Sequence, residues 1–557
     1  MLDEQSRKNS LIIPFALFVL GLLLFIPSLG TVHLFDWDEI NFAEAAREML
    51  LTGEFLRVHI DFQPFWEKPP LFLWMQAISM HFFGINESAA RFPNAMCGAL
   101  TLPLLYLLGQ SLHDKKTGLL WSLMYAGSFL PHFYFKTGII DPWFNLFIMI
   151  GMLLPTLPFF QERHLHSGFL SGISIGLAVM TKGPVAYLIA MSSFAALMAI
   201  DMYNGKVEEV KRQFSWVLSM TISTIFTASL WFGLEFMTNG SWFIEEFVNY
   251  QIRLFSTGDA GHSGPIYYHA MILLIGCFPA SVFAVDFMVQ KKLPQMQIRI
   301  MLALFWTTLI LFSIVKTKIV HYSSLCYFPL TYMAALSLKQ VIATRHVSLA
   351  MRIGLWIGVI LWTVLLLAVP LIGLNLTSLL PLIQDEFAKL NLTAPVQWTG
   401  IELAIGIVYA IIACMGLILL QRKEMIFKGI IVVSGATMIA LMTFLPIIAP
   451  KIEGYTQASI IDFYKSMKHK DVLLYPTGFK SYAHLFYSEK RLPRDFPDNR
   501  SYTDEELMNG ASKKPVFFIA KVRRAKELRG DFRVQHIQDF HGFSVFRVIT
   551  QQKSDLK

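Results

Sequence analysis

Long apolar runs recur from residue 11 to residue 448, each closed by a short polar or charged connection. They fall near 11–29, 89–109, 117–135, 139–160, 168–180, 184–200, 215–235, 267–289, 299–315, 320–338, 353–373, 401–420 and 426–448. The pattern predicts about thirteen membrane-spanning helices, several of them short for a hydrocarbon core of ~30 Å that asks for ~20 residues. Alternating ten-residue segments of the kind a transmembrane β-barrel needs are absent. Segment 68–84, KPPLFLWMQAISMHFFG, is also apolar. It is read as a helix lying at the interface, because the remaining connections then sort by charge.

That sorting is regular. Lys115–Lys116, Arg163, Lys206/Lys211/Arg212, Lys291–Lys292, Lys339/Arg345/Arg352 and Arg422–Lys423 mark alternate connections. Cytoplasmic loops collect Lys and Arg, so these face the cytoplasm. The opposite set is the long loop 30–88, KTGIIDP (136–142), TKGP (181–184), loop 236–266, KTKIVHY (316–322) and loop 374–400. Residues 1–450 form the transmembrane domain on this reading, with the tail 451–557 outside. The tail is polar, with runs short enough for strands (472–476, 515–522, 543–549) and a helical pattern over about 455–468. It is read as a soluble α/β domain. Segment 11–29 follows Arg7 and Lys8 with no small-residue cleavage site, which predicts a retained first span.

Composition agrees. Of 557 residues 54% are hydrophobic and only 15% charged. The net charge of +8 sits in the inner loops rather than in a basic, aromatic-studded patch, so no nucleic-acid partner is expected. Cys97, Cys277, Cys326 and Cys414 all lie in apolar runs without metal-ligand spacing, as inert packing residues do.

The outer connections carry the candidate chemistry. FDWDEINFAEAAREML (35–50) holds Asp36, Asp38, Glu39, Glu44 and Glu48 beside Arg47. A helical pattern starts at Glu39 and puts Asp38 at the N-cap. A capping acid is the plain structural explanation for Asp38, but it leaves the neighbouring acids unexplained. FWEKPPL (65–71) sets Glu67 and Lys68 before a Pro-Pro that stiffens the chain. Lys68 can snorkel to headgroups or bind phosphate as a point charge. KTGIIDP brings Lys136 and Asp141, and TKGP brings Lys182. NYQIRLFSTGDAGHSGPIYYH (249–269) adds Arg253, Asp259 and His262. Glu67 and His262 are a candidate pair of ligands for a divalent metal, although no metal is required. KTKIVHY puts Lys316, Lys318, His321 and Tyr322 on the side where lysines are disfavoured, and an anionic lipid phosphate there accounts for them.

Carboxylates, cations and aromatics next to lipid suit a reaction on a lipid-linked phosphate. Cations would hold the leaving phosphate, and a carboxylate would orient or deprotonate the attacking group.

The motif set resembles the GT-C membrane glycosyltransferases of the aminoarabinose-transferase and protein O-mannosyltransferase-like group. WDEINFAEAAREML aligns with the family's DE-x-R-Y-A-E-I-x-R-E-M, FWEKPPL with its EKP, IIDP with its LDP, VMTKGP with its MTKG and KTKIVHY with its K-x-K-L-P-x-Y, in the same order. The resemblance implies a GT-C fold and an undecaprenyl-phosphate-sugar donor. It implies Asp38 as the catalytic acid of the first outer loop, and Lys68, Tyr322 and Arg253 as holders of the lipid phosphate. Asn41–Phe42 stands where the family has Arg-Tyr, and Arg253 is one residue off the family's Gln-Arg-Phe register. The sugar and the acceptor are therefore left open.

The expectation is an inverting, lipid-carrier-dependent transferase at the periplasmic face of a bacterial inner membrane, acting on lipid A or another envelope glycolipid. Asp38, Glu39 and Asp141 would be catalytic. Lys68, Arg253, Lys316, Lys318 and Tyr322 would bind the donor phosphate. Glu44, Arg47, Lys136, Lys182 and His321 would support the acceptor. The alternatives are transfer to a protein acceptor, a lipid-linked sugar transporter, and a non-catalytic lipid-binding subunit. A transporter would put its ionisable residues near the midplane, often with repeat symmetry. Here they cluster at span ends.

Overall fold

Apolar runs at membrane depth must satisfy their own backbone hydrogen bonds, and helices do so within one segment. The computed structural model describes residues 4–160, 162–256, 263–290, 295–493 and 501–549, and the apolar runs in it are helical. Among the described residues eight helices are long and apolar enough to span a membrane. A ninth arises if Tyr268–Gly276 and Ala280–Val289, bent by 118°, count as one span. About thirteen were expected. The difference lies in short helices. Leu11–Phe25 is a shorter apolar helix. Lys115–Ala126 stops at Gly127 after 12 residues, and Asp141–Leu153 gives way to 3-10 turns after 13. Buried faces on these pieces pack against longer neighbours.

The helix Val207–Asn239 has 33 residues, about 50 Å at 1.5 Å per residue. It lies closely along His164–Lys182. A Cβ at Gly172 would come within 2.3 Å of the Met220 carbonyl oxygen, and one at Gly168 within 2.5 Å of that of Trp216. Small residues let two helix backbones approach where no hydrophobic driving force separates protein from lipid.

The loop that follows the first helix is ordered around the buried helix Asp38–Thr52. Asp38 was expected as its N-cap. It is instead the first helical residue, Trp37 is the cap at φ +87°, and no side chain caps the helix. A non-glycine residue at positive φ is a costly backbone state that surrounding structure must hold, and here it immediately precedes Asp38. A short hairpin follows, β1 (His59–Ile60) with β2 (Gln63–Pro64). Pro69–Pro70 then start the helix Leu71–Phe83, which packs on Asp38–Thr52 and Glu87–Leu112 and leaves Ile78, Phe82 and Phe83 exposed.

The tail folds as a four-stranded sheet in the order β3 (Leu473–Thr477), β4 (Val516–Lys521), β6 (Phe543–Val548), β5 (Val534–Phe540). Strands β3 and β4 are parallel and the other pairs antiparallel. Strand β5 had no apolar signature because it is an edge strand, exposed along most of its length. The helix Ala458–Ser466 docks this sheet on the first loop. His33 Nδ1 lies 2.6 Å from Glu453, and its Nε2 lies 2.6 Å from Lys465 Nζ. The Leu34 N–H donates to Tyr487 Oη at 2.7 Å. Leu34, Ile40 and Ala43 share an apolar cluster with Ile460, Ile461 and Val545. All four cysteines are free.

Candidate active site

Asp38 reaches a cavity of about 370 Å³ whose lining also includes Trp37, Lys68, Asp141, Lys182, Tyr250, His321 and Tyr322. All but Tyr250 arrive from the end of an element or the turn beside it. Lys68 precedes the Pro-Pro turn, Asp141 opens the helix Asp141–Leu153, and Lys182 closes His164–Lys182. His321 and Tyr322 lie on the 3-10 segment Val320–Cys326. Tyr250 belongs to the helix Trp242–Ser256. The rest of the lining is apolar apart from Gln251 and Thr317, and Leu188, Val248 and Ile252 on it are exposed outward. An isoprenoid chain could lie along that side with its phosphate at the polar end.

The polar end is a chain of charges. Lys182 Nζ donates to Asp141 Oδ1 at 2.6 Å. Asp141 Oδ2 lies 3.7 Å from His321 Nε2, and Asp38 Oδ2 lies 3.3 Å from the same nitrogen. Asp141 Oδ2 is buried without a hydrogen bond. Burial pushes the Asp38 carboxyl up, but the His321 hydrogen bond and the charges of His321, Lys68 and Lys182 outweigh it, so the net shift is down. A charged Asp38 is thus maintained in a largely apolar setting. Lys182 also stands 4.9 Å from the Tyr322 ring centre. Lys68 and Arg253 both approach the Tyr250 ring, at 4.9 and 5.1 Å. A cation over an aromatic face is attracted by the ring quadrupole, which helps to hold these side chains in place.

Other expected site residues are engaged elsewhere. Glu39 is buried, paired with Arg91 at 2.7 Å, and accepts backbone N–H bonds from Phe35 and Gly138. It points into the loop rather than the cavity. Glu44 and Arg47 form a buried pair at 2.6 Å, and Arg47 also donates to the Lys490 carbonyl. Glu48 beside them accepts the Phe62 N–H, and burial followed by Glu44 raises its carboxyl well above the usual range. The acids of 35–50 therefore divide: Asp38 serves the cavity, while Glu39, Glu44 and Glu48 hold the loop. Lys136 donates to the Pro27 carbonyl at 2.8 Å. Lys318 caps the end of the helix Met296–Ile314, donating to the carbonyls of Phe312, Ser313 and Val315 at 2.9, 2.7 and 2.5 Å. Lys316 is exposed and outside the cavity lining.

Glu67 faces Lys480 at 3.6 Å, while His262 and Asp259 lie outside the described residues. Among the described residues no three His, Cys, Asp or Glu side chains converge as a metal site. Tyr250 and Lys480 were not singled out from sequence. Tyr250 is one aromatic in an aromatic-rich helix, and Lys480 is an isolated lysine in the tail with no motif around it.

Residues 10–242 match the family described as Dolichyl-phosphate-mannose-protein mannosyltransferase. The chain is 25% identical over 370 residues to the undecaprenyl phosphate-alpha-4-amino-4-deoxy-L-arabinose arabinosyl transferase of Pectobacterium carotovorum, covering 64% of each protein. It is 27% identical over 344 residues to the protein of the same name from Photorhabdus laumondii, covering 60% of each. The match thus spans less than two thirds of these relatives' length. The fold is that of ArnT from Cupriavidus metallidurans, solved bound to undecaprenyl phosphate. The TM-score is 0.75 at 16% identity, over 96% of this chain and 98% of that one. The apo form of the same protein superposes with a TM-score of 0.69.

Proposed function

We propose that this chain, whose fold is that of ArnT, is a GT-C membrane glycosyltransferase that moves a sugar from a polyprenyl-phosphate carrier to a lipid acceptor such as lipid A. The reaction would take place at the periplasmic face of a bacterial inner membrane. The observation that carries the reading is the shared cavity. A maintained carboxylate, Asp38, faces Lys68, Lys182, His321 and Tyr322 at the polar end of a lined apolar slot.

The donor's isoprenoid chain lies along the apolar side, and Lys68 and Lys182 bind its phosphate, with Arg253 near the rim. An acceptor oxygen attacks the anomeric carbon from the opposite face. The bond from that carbon to the phosphate oxygen breaks, and its electron pair leaves on the polyprenyl phosphate, whose growing charge the lysines stabilise. If the acceptor is a hydroxyl, its proton passes to Asp38. If it is a phosphate, whose second pKa is ~6, Asp38 mainly orients it. His321 holds Asp38 in position and keeps it charged. Asp141 and Lys182 buttress His321 from behind.

The test is transfer of radiolabelled sugar by purified protein, over a panel of polyprenyl-linked donors with lipid A and with peptide acceptors. Labelled lipid A is expected. Product on peptide alone would reassign the acceptor to protein, and no product with any pair would favour a non-catalytic lipid-binding protein.

A further inference from the structure

We propose that a groove running along the edge strand β3 binds the anionic saccharide headgroup of the acceptor and presents it to Asp38 past Trp37. This rests on the glycosyl-transfer reading above. The groove measures about 760 Å³, and its lining sets Lys480, Lys490, Lys513 and Lys514 against Asp61 and Asp504. Both aspartates are already engaged. Asp61 pairs with Lys490, and Asp504 accepts from Arg524 at 3.0 Å and from Thr477. Lys514 in turn pairs with Asp471 at 2.8 Å, so among the described lining residues Lys480 and Lys513 supply the positive charge left over. Lysine ammoniums bind phosphate as point charges without demanding one geometry, which suits a headgroup carrying more than one phosphate or carboxylate.

The groove follows β3 at the edge of the sheet, from Lys513 and Lys514 near its first residue to Lys480 beyond its last. The chain leaves β3 through Gly478, at φ +76°, and the next three residues turn toward the catalytic loop. Ser481 Oγ donates to Asp36 Oδ1 at 2.9 Å. Lys480 Nζ stands 5.7 Å from the Trp37 ring centre and 3.6 Å from Glu67 Oε1. One short stretch of the outer domain therefore touches the chain neighbours of both Asp38 and Lys68. Trp37 lines the catalytic cavity, and Lys480 on the other side lines the groove. The Lys480–Trp37 contact therefore links a residue lining one space to a residue lining the other. The Lys480 side chain is 50% exposed and its contact with Glu67 is long for a hydrogen bond, so its ammonium can take an incoming anion with little rearrangement.

The test uses the full-length protein in detergent and two probes, lipid A and dephosphorylated lipid A. Binding is measured directly, and acceptor and donor KM are measured in the transfer assay. Lys480→Ala and the exposed pair Lys513→Glu/Lys514→Glu should each weaken lipid A binding about tenfold. Acceptor KM should rise in step, donor KM should stay unchanged, and the loss should shrink at high salt. Lys513→Arg/Lys514→Arg should bind as the parent does. Unchanged lipid A binding in both charge-altering variants would overturn the proposal, as would an equal loss for the dephosphorylated probe. Binding needs no turnover, so an absence of transfer in the parent protein would count against the glycosyl-transfer reading separately.

Discussion

His321 Nε2 lies 3.3 Å from Asp38 Oδ2, joining the loop that follows the first helix to the 3-10 segment that follows the helix Met296–Ile314. The contact is the foremost influence that lowers the Asp38 carboxyl. Burial is the largest influence and raises the carboxyl, and His321, Lys68 and Lys182 together bring it below its ordinary value of 3.8. A carboxyl depressed in the fold contributes stability above its unfolded pKa and loses it as pH falls through the lowered folded value. Its charge therefore persists below the usual carboxylate range. His321→Ala removes the foremost lowering influence and leaves burial in place. The acid limb of the kcat/KM–pH profile should move to higher pH in that variant, with Asp141, Lys68 and Lys182 unchanged around it. An acid limb at the parent position would show that His321 does not tune Asp38.

Lys68 and Lys318 sit in similar-looking outer segments but should behave differently. Lys68 lines the cavity with no carboxylate partner among the described residues. Lys68→Ala should raise donor KM about tenfold, the scale of one charge-assisted hydrogen bond. Lys318 is spent on three carbonyls at a helix end. Lys318→Met should instead cost about 1–3 kcal/mol of stability and leave donor KM alone. Thermal unfolding in detergent and donor-saturation kinetics on both variants separate the two roles.

Glu39 follows Asp38 directly yet should contribute to the fold rather than to the chemistry. It holds Arg91, which also donates to the carbonyls of Leu29, Val32 and His33. Removing one partner of a buried ion pair leaves an uncompensated charge and costs about 3–5 kcal/mol. Glu39→Ala should therefore lower the unfolding temperature, and the fraction that stays folded should keep the parent kcat. A folded variant with normal stability and no turnover would return Glu39 to the catalytic set.

The sequence was informative where chemistry and periodicity coincide. Apolar run lengths and outer-loop motifs pointed to a helical membrane protein and to Asp38, Asp141, Lys68, Lys182, His321 and Tyr322, all of which line one cavity. It was less informative about which neighbours turn inward. Glu39 and Asp38 are adjacent, and only the helix start at Asp38 with Trp37 at positive φ sends one to the cavity and the other to Arg91. Lys318 looked like a phosphate ligand because a helix end that needs capping and a site that needs a cation call for the same residue. Length and composition alone single out eight or nine spans among the described residues, because short apolar helices share the hydropathy signature of longer ones. Lys480 and Tyr250 owe their positions to tertiary docking alone, which no local pattern records.

The most direct test of the central claim is the transfer rate of purified Asp38→Asn with a polyprenyl-linked donor, measured beside the parent at saturating donor and acceptor. The substitution keeps the size of the side chain and removes its charge. With a hydroxyl acceptor, turnover should fall by about 10²–10⁴, the usual contribution of a positioned base, and with a phosphate acceptor by less, while donor binding persists. Parent-level turnover with both acceptors would remove Asp38 from the mechanism and contradict the account.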